Sequence, residues 1–241
     1  MQPNIVSRDE WLDARKALLA KEREVTHLRD EVAAQRRALP WVKVETPYVF
    51  QSTSGPVTLA DLFDRRSQLL VQHFMLTPGK DHICPGCSLM ADHVPGASMH
   101  FKNADLSFAA ISRAPIEQIE ATRARMEWDF PWVSSGGTSF NFDFGVSYTP
   151  EQIAEGKPLY NFGTTGYLDE DVHGTSVFAK DAAGDVFHTY STYARGDEAF
   201  IGAFSFLDLV PKGRNEEGTM SWVRLHDEYE DAGPKGDDCC G

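Results

Sequence analysis

The N-terminal segment carries apolar side chains at the spacing of a helix face. Ser7 and Glu10 have the spacing of a capping box, and the pattern predicts one amphipathic helix from about Ser7 to Ala38. The apolar stripe repeats every seven residues, at Trp11, Leu18, Val25, Val32 and Leu39. Globular helix faces and coiled-coil seams share this period, so two ways of burying the stripe are possible. It can pack against the rest of the chain, or form a homodimer with a second copy.

From Pro40 the pattern changes to short apolar runs. The elements predicted here are strands at 41–44 and 48–50, a turn at Gly55-Pro56 and a short helical step at 58–63. Gln68–Leu76 is then a mostly apolar run, which is typical of a strand buried on both faces of a mixed or parallel sheet. A loop leads from it to Cys84-Pro85-Gly86-Cys87. The residues after this pair predict a helix to about His100, with a break near Pro95-Gly96.

The middle of the chain repeats the order of strand and helix. Residues 106–111 predict a second buried strand, and a helix follows from 114 to about 127. Two such units in succession predict a parallel pair of strands with a right-handed crossover. Residues 136–174 have few clear periods and are interpreted as an irregular insertion, with one short helix at about 149–155.

The C-terminal part predicts a hairpin and a closing helix. Two alternating runs, 176–180 and 185–190, flank the turn residues Asp181–Gly184. Residues 197–209 then predict a helix that ends before Pro211. The predicted class is α/β, with a central mixed sheet flanked by helices and the insertion before the hairpin. The domain boundaries expected are a helix at 1–39, a main domain at 40–226 and a tail at 227–241.

Charge and composition exclude several classes of function. The 241 residues include 23 Lys and Arg against 36 Asp and Glu, a net charge of −13. This balance argues against nucleic-acid binding, which needs a basic surface. The sequence predicts no membrane partner, because its apolar runs are shorter than the roughly 20 residues of a spanning helix. The N-terminus lacks signal-peptide features, so the expected location is cytoplasmic.

The chain has four cysteines, in two pairs. Cys239 and Cys240 lie at the end of an acidic tail that we expect to be disordered, and we interpret them as incidental. Cys84 and Cys87 instead stand between a buried strand and a helix. A helix N-terminus stabilises a thiolate, so Cys84 is the predicted nucleophile. Cys87 lies one turn further and is the predicted resolving thiol.

Several dispersed motifs resemble a largely bacterial family of uncharacterised proteins with a thioredoxin-like fold. The motifs are Phe74-Met75, Cys84–Ser88, Ser112–Pro115, Phe130–Ser135 and His188–Gly196. The resemblance implies a thioredoxin-like domain with an additional N-terminal strand region, as in peroxiredoxins. It supplies a fold and a site more than an activity.

Three features differ from the better-known relatives of this fold. Ile83 stands where thioredoxins usually have Trp, and no proline precedes the predicted hairpin near Thr175-Ser176. Thr77 and Asp81 stand where peroxiredoxins place Pro and Thr before their reactive cysteine. The sequence therefore lacks the motif of the usual peroxidase pocket. Thiol peroxidase is an alternative rather than the leading function.

Four further polar residues are candidates for binding substrate or tuning the cysteine pair. They are His82, Arg113, His188 and Arg195. His82 and Arg113 are candidates to tune the Cys84 thiolate, and Arg195 to clamp an anionic group of a substrate. Each also has a purely structural interpretation, as a loop histidine, a strand-end arginine or a hairpin contact.

Zinc is the chemical rival of redox chemistry at this pair. His82, Cys84, Cys87 and His93 supply four nitrogen and sulfur atoms, the number that a tetrahedral site uses. No second C-x-x-C or paired His motif follows, and His93 lies too far along the helix. The sequence therefore predicts neither a metal nor a cofactor.

The leading function predicted from the sequence is thiol–disulfide oxidoreduction by Cys84 and Cys87. The expected partner is a thiol or disulfide substrate, either a protein or a small molecule. The alternatives are thiol peroxidase and a non-catalytic thioredoxin-like binding module.

Overall fold

The computed structural model describes residues 4–156, 160–164 and 169–230. The chain divides into two compact units between Trp41 and Val42. No helix among the described residues is long and apolar enough to cross a membrane. Cys239 and Cys240 lie outside the described residues, as does the tail beyond Glu230.

The first unit is helix α1, Arg8–Arg37, and it confirms the predicted N-terminal helix. The Ser7 hydroxyl accepts from the Glu10 N–H at 3.3 Å, and the Ser7 N–H donates to the Glu10 carboxylate at 2.9 Å. This capping box satisfies two donors of the first turn. None of the residues of α1 is buried, and the homodimer through its stripe remains a prediction.

The second unit is built on a mixed sheet. Its strands are β1 (Val42–Lys43), β2 (Val49–Ser52), β3 (Gly55–Thr58), β4 (Gln68–His73), β5 (Leu106–Ser112), β6 (Trp132–Ser134), β7 (Gly174–Lys180) and β8 (Val186–Tyr193). Within the described residues the strands follow the order β1-β8-β7-β4-β5-β6-β2-β3. Strand β4 is parallel to β5 and antiparallel to β7, and β7 pairs with β8 as a hairpin.

Helices lie between these strands. They are α2 (Pro85–Ala91), α3 (Val94–Asn103), α4 (Ile116–Arg125), α5 (Phe140–Asp143), α6 (Pro150–Glu155), α7 (Tyr160–Gly163) and α8 (Gly202–Leu207). Strand β4, helices α2 and α3, strand β5, helix α4 and the β7–β8 hairpin follow the order of a thioredoxin-like core. The predicted fold class is confirmed.

Strand β4 is apolar on both faces because it lies between β5 and β7, and each face meets its own cluster of buried side chains. Leu69 and Val71 belong to the cluster around Phe50, Phe63 and Phe140. The alternate residue Leu70 packs against the cluster that contains Phe74 and Cys87. The alternation continues at the end of the strand, where Gln72 contacts Cys87 and His73 contacts Ser176. The last two residues of the strand thereby place one polar side chain on each face of the sheet.

Three local predictions were wrong. Gly55-Pro56 was expected to be a turn, but both residues pair with β2, and the turn lies at Thr53-Ser54. The break expected at Pro95-Gly96 lies earlier, at Asp92-His93, because Pro95 occupies the first turn of α3, where proline is tolerated. The closing helix expected at 197–209 is a 3₁₀ segment, Ala194–Phe200, followed by α8 after the extended Ile201.

Three parts of the chain are more ordered than the pattern indicated. Strand β6 was not predicted, and it pairs with both β5 and β2. The start of the expected tail is bound to the domain, since the Arg125 guanidinium donates to Asp227 and Glu228. The predicted insertion contains α5 to α7 and a bridge between Ser147 and Asp171.

Candidate functional site: a cysteine pair beside an apolar cavity

The cysteine pair lies where the chain leaves β4 and begins α2. Cys84 is the N-cap of this helix, in an extended conformation, and Pro85 occupies its first turn. Cys84 is half-buried, whereas Cys87 is 4% exposed. Both are free thiols, and the Cys87 N–H donates to the Cys84 sulfur at 3.4 Å. The sulfur of the more exposed cysteine therefore lies against backbone N–H groups, and Cys87 belongs to a core cluster.

The two thiols differ in acidity for identifiable reasons. The pKa of Cys84 is lowered by a hydrogen bond from the Cys87 thiol and further by the N–H groups of Cys87 and Gly86, against the opposing effect of burial. Burial raises the pKa of Cys87 well above its ordinary value, and the hydrogen bond to Cys84 raises it further. The negative charge of Asp197 acts in the same direction. Of the two, Cys84 is the thiol prepared to ionise.

The amide of Gln72 attaches the start of α2 to the central strand. Its Nε2 donates to the Cys87 carbonyl at 2.9 Å, in the buried interior. Its Oε1 has no hydrogen-bond partner among the described residues. This amide is a polar group within the apolar run of β4, and it holds the backbone of Cys87 in place.

A cavity of about 170 Å³ opens beside Cys84 and Cys87. Its lining includes Cys84, Cys87, Met90, Ile201 and Met220, and also Gln72, His173, Asp197 and Glu198. A Cβ added to Gly86 would lie 3.1 Å from the Met220 sulfur and 4.0 Å from the Cys84 sulfur. The thioether of Met220 thus lies near the Cys84 thiol, across the first turn of α2.

Asp197 is the unusual ionisable group of this cavity. It is 5% exposed, and neither of its carboxylate oxygens has a hydrogen-bond partner among the described residues. Burial raises the pKa of Asp197 to about 7, against a smaller lowering by the Thr175 hydroxyl. The His173 Nε2 atom lies 4.0 Å from its Oδ2, but burial lowers the pKa of His173. Near neutral pH the pair is therefore not a stable ion pair, and Asp197 can gain or lose a proton.

Glu198, the next residue, is also a carboxylate of the cavity wall, and it has two cationic partners. It forms ion pairs with Arg195 at 2.7 Å and Arg214 at 3.1 Å. Chiefly through Arg195, these partners lower the pKa of Glu198. Two adjacent acids thus differ in protonation, because only one of them is paired.

The predicted tuning residues lie in different places. His82 is exposed in the loop before the cysteines. The Arg113 guanidinium binds the Asp171 carboxylate at 2.6 and 2.8 Å and Glu170 at 3.0 Å. The pKa of Cys84 is lowered by its own helix turn, and neither residue is among the causes. Their roles as tuning residues stay predictions.

The predicted hairpin residues are engaged by their own neighbourhood. The His188 Nε2 atom bonds the Ser191 hydroxyl at 2.7 Å, and its ring packs edge-on against Phe144. Arg195 is 78% exposed and bonds Glu198. Neither side chain lines the cavity, although Ala194 and Glu198 do. Their roles in substrate binding also stay predictions.

The four residues considered for zinc do not form a cluster in the described structure. His93 uses both ring nitrogens, bonding the Leu89 carbonyl through Nδ1 at 2.7 Å and accepting the Ala203 N–H at Nε2 at 3.0 Å. Among the described residues, no group of three or more His, Cys, Asp or Glu side chains is placed to hold a metal ion. His93 instead attaches the start of α8 to the end of α2.

Sequence reasoning missed the residues that complete this site. His173 and Asp197 come to the cysteines only because the β7–β8 hairpin returns beside β4. Gln72 carried one signal, as a polar residue inside the apolar run that precedes the cysteine loop. Asp197 carried none, because a single acid after a strand is ordinary in sequence.

Comparison with known proteins assigns nearly the whole chain to one family. A family model described as a bacterial protein of unknown function (DUF899) matches residues 1–229. The chain belongs to this family. None of the curated proteins compared with it matches.

Solved structures with a similar chain course include redox proteins. The peroxidoxin BcpB from Mycobacterium tuberculosis is 20% identical, with a TM-score of 0.43 over 68% of this chain and 96% of that one. The mitochondrial 2-cys peroxiredoxin from Plasmodium falciparum is 12% identical, with a TM-score of 0.42 over 73% and 96%. A thiol:disulfide interchange protein from Bacteroides sp. is 13% identical, with a TM-score of 0.37 over 73% and 95%. At these identities the likeness says nothing about activity.

Proposed function

We propose that the protein is a thiol–disulfide oxidoreductase in which Cys84 attacks and Cys87 resolves. The observation that carries the proposal is the asymmetry of the pair: the half-buried thiol has the lowered pKa, and the buried thiol has the raised one. A thiolate is the nucleophile in disulfide exchange, so the accessible sulfur reacts first. The buried sulfur is protected from solvent and reacts with its neighbour.

The reaction conserves atoms and electrons without a further reagent. The Cys84 thiolate attacks a substrate disulfide, RSSR, forming a Cys84–SR bond and releasing one RS⁻. Cys87 then loses its proton and attacks the Cys84 sulfur, which forms the Cys84–Cys87 disulfide and releases the second RS⁻. The two leaving thiolates take up the two protons that the cysteines lost. The substrate is reduced to two thiols and the pair is oxidised.

Asp197 is the proton acceptor for Cys87 in this proposal. Both residues line the same cavity, and the charge of Asp197 raises the pKa of Cys87. Two anions in one apolar cavity repel each other, whereas transfer of the proton from the thiol to the carboxylate leaves only one negative charge. A carboxyl with a pKa of about 7 is partly ionised at neutral pH and can take that proton. Glu198 is held ionised by its two arginines and is less suited.

The test of the function is a redox titration of wild type, Cys84→Ser and Cys87→Ser. We expect a reversible two-electron couple in wild type and none in either variant. Cys87→Ser accumulates a mixed disulfide on Cys84, while Cys84→Ser reacts at least about a hundredfold more slowly with the same disulfide. Thermal unfolding of each variant controls for the fold. Absence of the couple in wild type contradicts the proposal, and rapid peroxide consumption by Cys84 favours the peroxidase alternative.

The role of Asp197 has a separate test in the resolving step. In Asp197→Asn we expect the alkylation rate of Cys84 to change less than about threefold, and the resolving step to slow by about a hundredfold at neutral pH. The pH profile of the resolving step loses its inflection near 7. Asp208→Asn, an exposed acid on the same C-terminal segment, is the control. Equal resolving rates in wild type and Asp197→Asn across the pH range exclude Asp197 as the acceptor.

A further inference from the structure

The wall of the cavity beside Cys84 is largely apolar. Met90, Ile201 and Met220 line it, together with Gly86 and Gly174. The space at Gly86 is narrow, since an added Cβ would lie 3.1 Å from the Met220 sulfur. A molecule that brings a sulfur atom to Cys84 therefore places its flanking groups against carbon and thioether surface.

The charged groups at this wall have one sign. Among the residues the structure describes, no lysine or arginine lines the cavity, while Asp197 and Glu198 both do. The arginines that pair with Glu198, Arg195 and Arg214, lie outside the lining. His173, which directly precedes β7, also lines the cavity. Burial lowers the pKa of His173, so its ring is neutral near pH 7. An anionic substrate finds no counter-charge here.

The two tyrosines that interact electrostatically with Asp197 add no positive charge. Burial raises the pKa of Tyr160 and of Tyr193, so both hydroxyls are neutral at the pH of interest. The Tyr160 hydroxyl donates to the His173 carbonyl, and the Tyr193 hydroxyl donates to the Phe144 carbonyl. Moving a carboxylate from water to such surroundings is costly without a partner.

We propose that the substrate of this site is a small, uncharged disulfide with apolar arms. The inference rests on the proposed thiol–disulfide function and narrows it. A cavity of about 170 Å³ restricts the substrate to a small molecule, and its apolar lining suits short alkyl groups. The step is the exchange written above: RSSR is reduced to two RSH while Cys84 and Cys87 are oxidised to their disulfide.

The test measures the oxidation of fully reduced protein by disulfides that differ in charge. The probes are diethyl disulfide (apolar), bis(2-hydroxyethyl) disulfide (neutral), dithiodipropionate (dianion) and cystamine (dication). Each rate is divided by the rate of the same disulfide with dithiothreitol, which removes its intrinsic reactivity. Samples are quenched in acid and alkylated, and their masses are measured by mass spectrometry. The measurement thus quantifies the Cys84–Cys87 disulfide itself.

We expect the normalised rate for diethyl disulfide to exceed that for dithiodipropionate by at least about tenfold, because only the latter loses hydration at an apolar, acid-lined wall. Equal rates for these two probes overturn the inference. Faster normalised reaction with cystamine than with diethyl disulfide overturns it too, since it shows that the acids select the substrate. Faster reduction of insulin, a protein disulfide, overturns the small-molecule assignment.

A charge placed in the wall provides the second arm of the test. In Met220→Glu we expect the rate with diethyl disulfide to fall by about tenfold, because the lining gains a carboxylate. Met99→Glu is the matched control, since Met99 is 72% exposed on α3 and does not line the cavity. Equal rates in the two variants overturn the inference. If no probe oxidises wild type to the Cys84–Cys87 disulfide, the proposed function itself fails, which is a distinct result.

Discussion

Asp171 and Asp197 are buried to nearly the same extent, 4% and 5% exposed, in opposite chemical surroundings. Asp171 accepts hydrogen bonds from Arg113, from the Thr77 hydroxyl at 2.7 Å and from the Ser147 hydroxyl at 2.5 Å. Asp197 has no such partner among the described residues. The first acid joins the loop after β4, the end of β5 and the predicted insertion. The second lies in the cavity of the cysteines.

The difference teaches which buried acid serves stability and which serves chemistry. A buried carboxylate with a guanidinium and two hydroxyls has its desolvation compensated, and it fixes three segments relative to one another. A buried carboxylate without partners is costly when ionised, and its pKa moves toward neutrality. Such groups are found where a proton must move, which is the basis for assigning Asp197 to the cysteine pair.

The largest expected effect comes from removing the cation of the paired acid. Arg113→Met retains much of the aliphatic stem and leaves Asp171 buried without its charge partner. We expect the free energy of unfolding to fall by about 3 kcal/mol, measured by urea denaturation at neutral pH. Lys43→Met, which removes an exposed ion pair with Asp185, is the control and should cost less than about 1 kcal/mol.

A double variant shows whether this loss comes from the stranded charge. Arg113→Met combined with Asp171→Asn removes both ions, and it is expected to be more stable than Arg113→Met alone. If the two substitutions simply add, Asp171 is not the reason for the loss and the contrast between the two acids does not hold.

The opposite sign is expected at the unpaired acid. The pKa of Asp197 rises from 3.8 to about 7 in the folded state. The folded state therefore binds more protons between these values, and stability falls as pH rises from about 4 to 7. Above pH 7 the cost is of the order of 4 kcal/mol, part of which remains when an unpaired amide is buried instead. Asp197→Asn is thus expected to stabilise the protein by about 2 kcal/mol at about pH 8.

The measurement is urea denaturation of wild type and Asp197→Asn at about pH 4 and pH 8. We expect the gain at the higher pH to be nearly absent at the lower one, because the carboxyl is then protonated in both states. A variant that is less stable than wild type at pH 8 shows that Asp197 has a stabilising partner.

The smallest effect is expected from removing one of the hydroxyls that serve Asp171. Thr77→Val keeps the shape of the side chain and deletes a single donor. Arg113 and Ser147 remain, so the free energy of unfolding should fall by about 1 kcal/mol. The same denaturation measurement applies. A loss as large as that of Arg113→Met places the loop after β4, rather than the arginine, at the centre of this network.

The sequence by itself determined the features that depend on near neighbours. The helix at Ser7–Ala38 follows from a stripe of period seven and a capping box, both of which act within a few residues. The buried strand β4, the cysteines at the start of α2, the parallel partner β5 and the β7–β8 hairpin were predictable for the same reason. The boundaries that failed, at Gly55-Pro56 and Pro95-Gly96, are positions where proline and glycine suit more than one local structure.

Only the tertiary structure decided which polar residues share the site. Arg113 is a predicted tuning residue of Cys84, and Asp171, 58 positions along the chain, binds its guanidinium. Asp197 reaches the cavity because β7 runs antiparallel to β4 and β8 brings the following turn back to α2. Its pKa depends on burial by these distant segments, and the sequence around it carries no trace of that burial. Local periodicity determines the helices and strands, whereas long-range packing determines the interaction partners of each ionisable group.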